Sequence, residues 1–195
     1  KIERLAALGF DWVWLLGVWR TGEASRRVSR SRPEWVSEYR QLLPGLTDDD
    51  VQGSCFAIAD YEVHPALGGK AALGRLRQRL VAQGLRLMLD FVPNHVALDH
   101  RWIAEHPDWF VRGDEDKLSR EPLNWCRIVG PAGSSVFAYG RDPYFPGWPD
   151  TLQLNYGNRE LQAAMRGELL RIAEHCDGVR CDMALLVVPD VFHRT

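Results

Sequence analysis

Leu85-Arg86-Leu87-Met88-Leu89-Asp90-Phe91-Val92-Pro93-Asn94-His95 is the stretch that decides the fold. From Leu85 to Val92 it is almost continuously apolar, with Gly84 before it and Pro93 after it. That pattern predicts a strand buried on both faces of a parallel sheet. Upstream, Gly68-Gly69 opens and Gly84 closes a helix whose apolar face is Leu73, Leu76, Leu80 and Val81. Downstream, Leu161, Met165, Leu169 and Ile172 mark a further amphipathic helix, and Val179–Ala184 follows Asp177-Gly178 as another strand. At the start of the chain, Ile2, Leu5 and Leu8 recur at helical spacing, Gly9 caps them, and Phe10–Leu16 reads as a buried strand. Buried strands alternating with amphipathic helices imply a parallel α/β sheet, either doubly wound or a (β/α)8 barrel. No GxGxxG or GxxxxGK[ST] follows any of these strands, so nucleotide binding loses its main support.

The intervening segments are less patterned. Ser31 and Glu34 predict a capping box, with Pro33 in the first turn of a helix that runs to about Leu43 before Pro44-Gly45. The basic stretch Arg20–Arg40 and the acidic run Asp48-Asp49-Asp50 read as a solvated loop face. Ala97 to about Asn158 has no sustained periodicity, and a structureless loop of that length predicts a small inserted subdomain instead.

Composition bounds the partners. A net charge of −2 argues against nucleic acid. The longest apolar run, Phe10–Trp19, contains Asp11 and falls short of the roughly 20 residues of a membrane span. The four cysteines form no CxxC pair and fit reduced thiols in a cytoplasmic protein best, with disulfides left open by the even count. Eight tryptophans suit core packing, and aromatic faces also stack on sugar rings. The chain starts at Lys1 with no leader, so it is expected to be a piece of a longer protein.

Polar residues gather where the predicted strands end: Asp90, Asn94 and His95 on one, Arg180 and Asp182 on another. In parallel α/β folds this rim binds ligands. Two residues apart on a strand, Arg180 and Asp182 project to one face, and the guanidinium favours an ionised carboxylate able to act as a nucleophile. The same pair also reads as an ion pair that only ties the sheet together. His95, Asp99, His100 and His106 match no tetrahedral zinc spacing. Asn94 offers a hard cation one oxygen, and no GxSxG marks a serine nucleophile.

DFVPNH (Asp90–His95) and GVRCDMA (Gly178–Ala184) resemble two signatures of the α-amylase superfamily, glycoside hydrolase family 13. Ala59-Asp60-Tyr61 followed by Leu67-Gly68-Gly69 resembles the tyrosine segment before the first signature. Gln153-Leu154-Asn155 resembles the motif closing the inserted domain, with Gln153 in place of an acidic residue. The resemblance implies a partial (β/α)8 TIM barrel with a small domain inserted after the third strand. Residues 1–96 would be the first part of the barrel, 97–158 the insertion, and 159–195 the third helix, fourth strand and start of the fourth helix. It implies that Asp182 is the nucleophile, Arg180 its orienting partner, His95 a sugar-binding histidine and Tyr61 a residue stacking on that sugar. Asp90 and Asn94 would be structural, Asn94 being a calcium ligand in calcium-dependent relatives. Met183-Ala184-Leu185-Leu186 stands where many of those carry a Lys-His pair, which argues against calcium. Ala57 replaces an aspartate of the oligosaccharide α-glucosidases. The implied substrate is an α-linked oligo- or polysaccharide. The family's general acid, a glutamate on the fifth strand, would lie beyond Thr195 along with the rest of the barrel, leaving this chain inactive alone. A non-catalytic sugar-binding or scaffold protein on the same barrel is the second reading.

Overall fold

The computed structural model describes residues 1–130 and 133–195. In chain order the elements begin with α1 (Ile2–Ala7), β1 (Trp12–Leu15), β2 (Trp19–Thr21), α2 (Glu23–Ser31) and α3 (Pro33–Leu42). They continue with β3 (Ile58–Val63), α4 (Gly69–Val81), β4 (Arg86–Phe91), β5 (His95–Ala97), α5 (Trp102–Glu105), β6 (Arg112–Gly113) and α6 (Glu115–Arg120). β7 (Trp125–Gly130), β8 (Gly133–Gly140), β9 (Trp148–Gln153), α7 (Arg159–Ala173), β10 (Gly178–Cys181) and α8 (Pro189–Arg194) complete the chain.

Three strands form the parallel sheet that the apolar runs predict, in the order β1-β4-β10. Trp12–Leu15 pairs with Arg86–Leu89, and Gly178–Cys181 with Met88–Phe91. Leu87 and Leu89, two residues apart and so on one face of β4, are fully buried. α4 packs on β4 through Leu73 and Leu80. α7 packs on β4 and β10 through Leu161, Met165 and Ile172. Asn158 caps α7 by accepting from the amides of Glu160 (2.8 Å) and Leu161 (3.2 Å). Val81, the last residue of α4, is 60% exposed and not part of the apolar face.

Three further expectations need correction. Ser31 ends α2 and donates to the Val28 carbonyl; the following helix, α3, starts at Pro33 with no side-chain cap. The basic stretch is not a loop but the two helices α2 and α3, with Arg26 and Arg30 paired to Asp49. The last strand ends at Cys181 because Met183 turns left-handed (φ 53°) into a 3-10 turn, Ala184–Val187. The unpatterned stretch contains an antiparallel sheet in the order β5-β9-β8-β6, with β7 also paired to β8. Trp125, Val136 and Ala138 give that sheet a small core of its own.

Candidate active site

β4 and β10 place their charged residues side by side, since Asp90 and Arg180 are register partners. Asp90 is 1% exposed. Its Oδ1 accepts from Trp14 Nε1 at 3.0 Å and faces Arg180 Nη1 at 3.5 Å, and its Oδ2 accepts from the Gly17 amide at 3.0 Å. Gly17 holds a left-handed φ of 66°, and a side chain there would collide with Cys55. The same Arg180 Nη1 lies 2.5 Å from Asp182 Oδ1. One guanidinium therefore bridges two buried carboxylates while its plane lies over Trp14 (5.0 Å) and Phe56 (5.3 Å).

Asp182 extends the ladder one residue past β10, its amide donating to the Phe91 carbonyl at 2.7 Å. Burial pushes its carboxyl above the usual aspartate range and the charge on Asp90 adds to this, while Arg180 opposes both. The guanidinium thus limits a shift that would otherwise favour the neutral acid.

His95 opens β5 and is 3% exposed. Gln153, its register partner, donates through Nε2 to the Asn94 carbonyl (2.9 Å) and to Asn94 Oδ1 (2.9 Å). With its oxygen occupied as an acceptor, the Asn94 amide presents its NH2 to His95 Nδ1 at 3.3 Å. Nδ1 must then accept, which leaves the proton on Nε2 as a donor. Trp148 meets the ring edge-on at 5.0 Å, and β8 comes close only because residue 140 is glycine: a Cβ there would lie 2.8 Å from His95 Cβ.

The Gln153 amide also answers the question of calcium. Its Nε2 lies among three oxygens, the Asn94 carbonyl and side chain and the Leu154 carbonyl at 3.3 Å. A nitrogen donor already satisfies the oxygens that a cation would need, and Gln153 brings no charge. These residues do not fit calcium. Among the described residues no group of three or more His, Cys, Asp or Glu is placed to hold a metal.

A cavity of about 790 Å³ joins the pieces; Asp182, His95, Phe56, Trp148 and Met183 all line it. Tyr61 does not. Its hydroxyl donates to the Val92 carbonyl (3.2 Å) and accepts from the Val92 amide (2.9 Å), and its ring packs between Trp19 and Phe91 in the core. Tyr61, expected to stack on the sugar, therefore lies in the core, and the aromatic side chains that line the cavity are Phe56, Trp148, Trp35 and Tyr39. Nothing in the sequence distinguished Tyr61 from Phe56, since both flank or lie within the same short strand.

Burial holds His95 and His100 down to about 4, well below the ordinary histidine value of 6.5. The folded values are depressed, so the unfolded chain binds the extra protons between pH 6.5 and 4. The stabilisation is fully present above pH 6.5 and is lost as pH falls towards 4, with a linkage on the order of a few kcal/mol. Tm should fall steadily over that window, and His100→Asn should flatten the slope. A Tm that does not change between pH 7 and about 4.5 would contradict this.

A family model described as the alpha amylase catalytic domain matches residues 1–193. This chain belongs to the alpha-amylase catalytic-domain family. A crystal structure of an alpha-amylase from Lactobacillus plantarum superposes with a TM-score of 0.65 at 30% identity, covering 98% of this chain and 35% of that one. A noncanonic maltogenic alpha-amylase from Thermotoga neapolitana gives a TM-score of 0.62 at 25% identity, covering 99% and 36%. Among curated relatives, an alpha-1,4-glucan:maltose-1-phosphate maltosyltransferase of Cereibacter sphaeroides is 34% identical over 56% of this chain and 17% of its own length. An alpha-glucosidase of Culex pipiens is 29% identical over 63% of this chain and 23% of its own. The chain thus spans about a quarter or less of these two relatives and about a third of the two solved amylases. The alpha-amylase family fold is a TIM-barrel-like α/β architecture, of which β1, β4 and β10 form an open sheet here. Among the described residues no helix is long and apolar enough to cross a membrane.

Proposed function

We propose that the protein containing this chain is a retaining α-glycoside hydrolase or transglycosylase, acting on α-glucans or α-glucosides through a covalent glycosyl-aspartate. The observation that carries the reading is the Arg180–Asp182 contact at 2.5 Å, open to the same cavity as His95 and Phe56. Asp182 attacks the anomeric carbon as the glycosidic C–O bond breaks, and the leaving oxygen takes a proton from a second carboxyl about 5–5.5 Å away. Water or a second sugar then attacks from the face the leaving group vacated, opposite the bond to Asp182, gives its proton to the now ionised second carboxyl and releases Asp182, so the α configuration returns. His95 Nε2–H donates to a hydroxyl of the bound ring, and Phe56 covers its apolar face. Arg180 orients Asp182 and limits its protonation, while Asp90 anchors Arg180. The proton donor is proposed to be a glutamate outside these 195 residues, and the 97–158 stretch to be the family's inserted domain. The isolated chain is accordingly proposed to be inactive.

Anomeric NMR of the complete protein acting on an α-glucoside tests this. The first-formed product is expected as the α anomer; a β anomer formed first would contradict a double displacement. Sugar binding with no product at all would favour the non-catalytic reading.

A further inference from the structure

The segment between β2 and β3, residues 22–57, forms an arm that carries α2 and α3. It supplies much of the cavity wall: Ser29, Trp35, Tyr39, Leu42 and Phe56 line the cavity together with Asp182 and His95. Little apolar surface docks this arm. Its buried side chains are Ala24, Ser25, Ser29, Val51 and Ala57, and α3 buries none. Small side chains gain little from leaving water, so the arm's position depends on its hydrogen bonds. Two of them close its base: the Gly22 amide donates to the Ala57 carbonyl (3.0 Å), and the Ala24 amide to Asp99 Oδ2 (2.9 Å). A third group joins three segments. Ser25, fully buried on α2, accepts from the Ser54 amide at 2.9 Å, which directs its hydroxyl proton to Asp150 Oδ2 on β9 at 2.6 Å. Gly53, at a left-handed φ of 81°, allows this approach; a Cβ there would lie 2.8 Å from Ser25 Oγ. Asp150 is 8% exposed. Burial raises its carboxyl above the usual aspartate range, and the Ser25 hydroxyl is the side-chain group that opposes this. A buried carboxylate with one side-chain donor is costly unless that bond is kept.

We propose that Asp150 is a positioning residue: through the Ser25 hydroxyl it latches the 22–57 arm onto β9 and so fixes the wall that the arm gives the cavity. Asp182, Arg180 and His95 stand on or beside β10 and β5, outside the arm. The latch therefore governs how substrate is held rather than the displacement itself. That catalytic consequence rests on the glycosidase reading above, whereas the latch can be measured without turnover. When it is broken, the base bonds from Gly22 and Ala24 hold, and the rest of the arm, α3 included, is released from β9.

Hydrogen–deuterium exchange and steady-state kinetics of the complete protein test the latch together. In Ser25→Ala and in Asp150→Ala, amides of residues 26–54 should exchange at least about tenfold faster than in the wild type, while those of β4 and β10 keep their rates. KM for an α-glucoside should rise about tenfold with kcat changed by less than about threefold, and the double variant should be no worse than either single one. Asp150→Asn, whose side-chain oxygen still accepts from Ser25, should recover most of both effects. Unchanged exchange in the arm, or a rise spread evenly over the whole protein, would overturn the latch. So would additive losses with a larger KM for Asp150→Ala than for Ser25→Ala, since Asp150 would then touch the ligand itself. If the wild type turns over no α-glucoside, the glycosidase reading fails, and the exchange rates decide the latch on their own.

Discussion

Asp182→Asn should lower kcat for α-glucosides by on the order of 10⁴-fold or more while leaving Tm close to that of the wild type. The amide nearly matches the carboxylate in volume but cannot form the glycosyl ester, so the first displacement has no nucleophile. The charge removed is one that burial already penalises and Arg180 offsets, so folding should lose little. A second consequence concerns pH. Because Asp182 is held above the usual aspartate range, the acid limb of kcat/KM should lie above that range too, as the ionised form is the one that attacks. Stopped-assay rates of the complete protein check both points. A variant that retained more than a tenth of wild-type activity would assign the nucleophile elsewhere.

Asp90→Ala should be the most destabilising single change at the site, costing about 3–5 kcal/mol. Asp90 is 1% exposed and satisfies Trp14 Nε1, the Gly17 amide and one side of Arg180. Truncation leaves those donors facing a void at the centre of the parallel sheet. It also leaves the guanidinium with Asp182 as its one carboxylate partner. For a chain of this size the loss corresponds to a Tm lower by roughly 6–20 °C. Asp90→Asn keeps an acceptor for Trp14 and should fall by less. Thermal unfolding that placed Asp90→Ala within about 2 °C of the wild type would show that this network does not hold β1, β4 and β10 together.

The parallel sheet was legible because β4 is largely buried and reads as an apolar run that Pro93 ends, whereas the first strand, expected as buried, leaves Phe10, Trp14 and Leu16 about half exposed. The charged rim was legible for the same reason: Asp90, Arg180 and Asp182 stand out against apolar surroundings. α2 was not legible. The residues it buries are Ala24, Ser25 and Ser29, small side chains that leave no hydrophobic periodicity, and its burial is specified by the distant partner Asp150. The antiparallel sheet was hidden by strands as short as Arg112–Gly113 and by a register shift at Tyr139/Gly140. Tyr61 lies within β3, whose pairing with β2 carries two register shifts that no alternation rule anticipates, and Phe56 precedes that strand.

The covalent intermediate itself is the most direct test. Incubation of the complete protein with 5-fluoro-α-D-glucosyl fluoride, whose ring fluorine slows the second displacement, should load one fluoroglucosyl group onto the enzyme. Peptide mass spectrometry should then find that group on Asp182, and Asp182→Asn should remain unlabelled. A label on a different carboxylate, or turnover with no labelled enzyme at any time, would contradict the assignment of Asp182 as nucleophile.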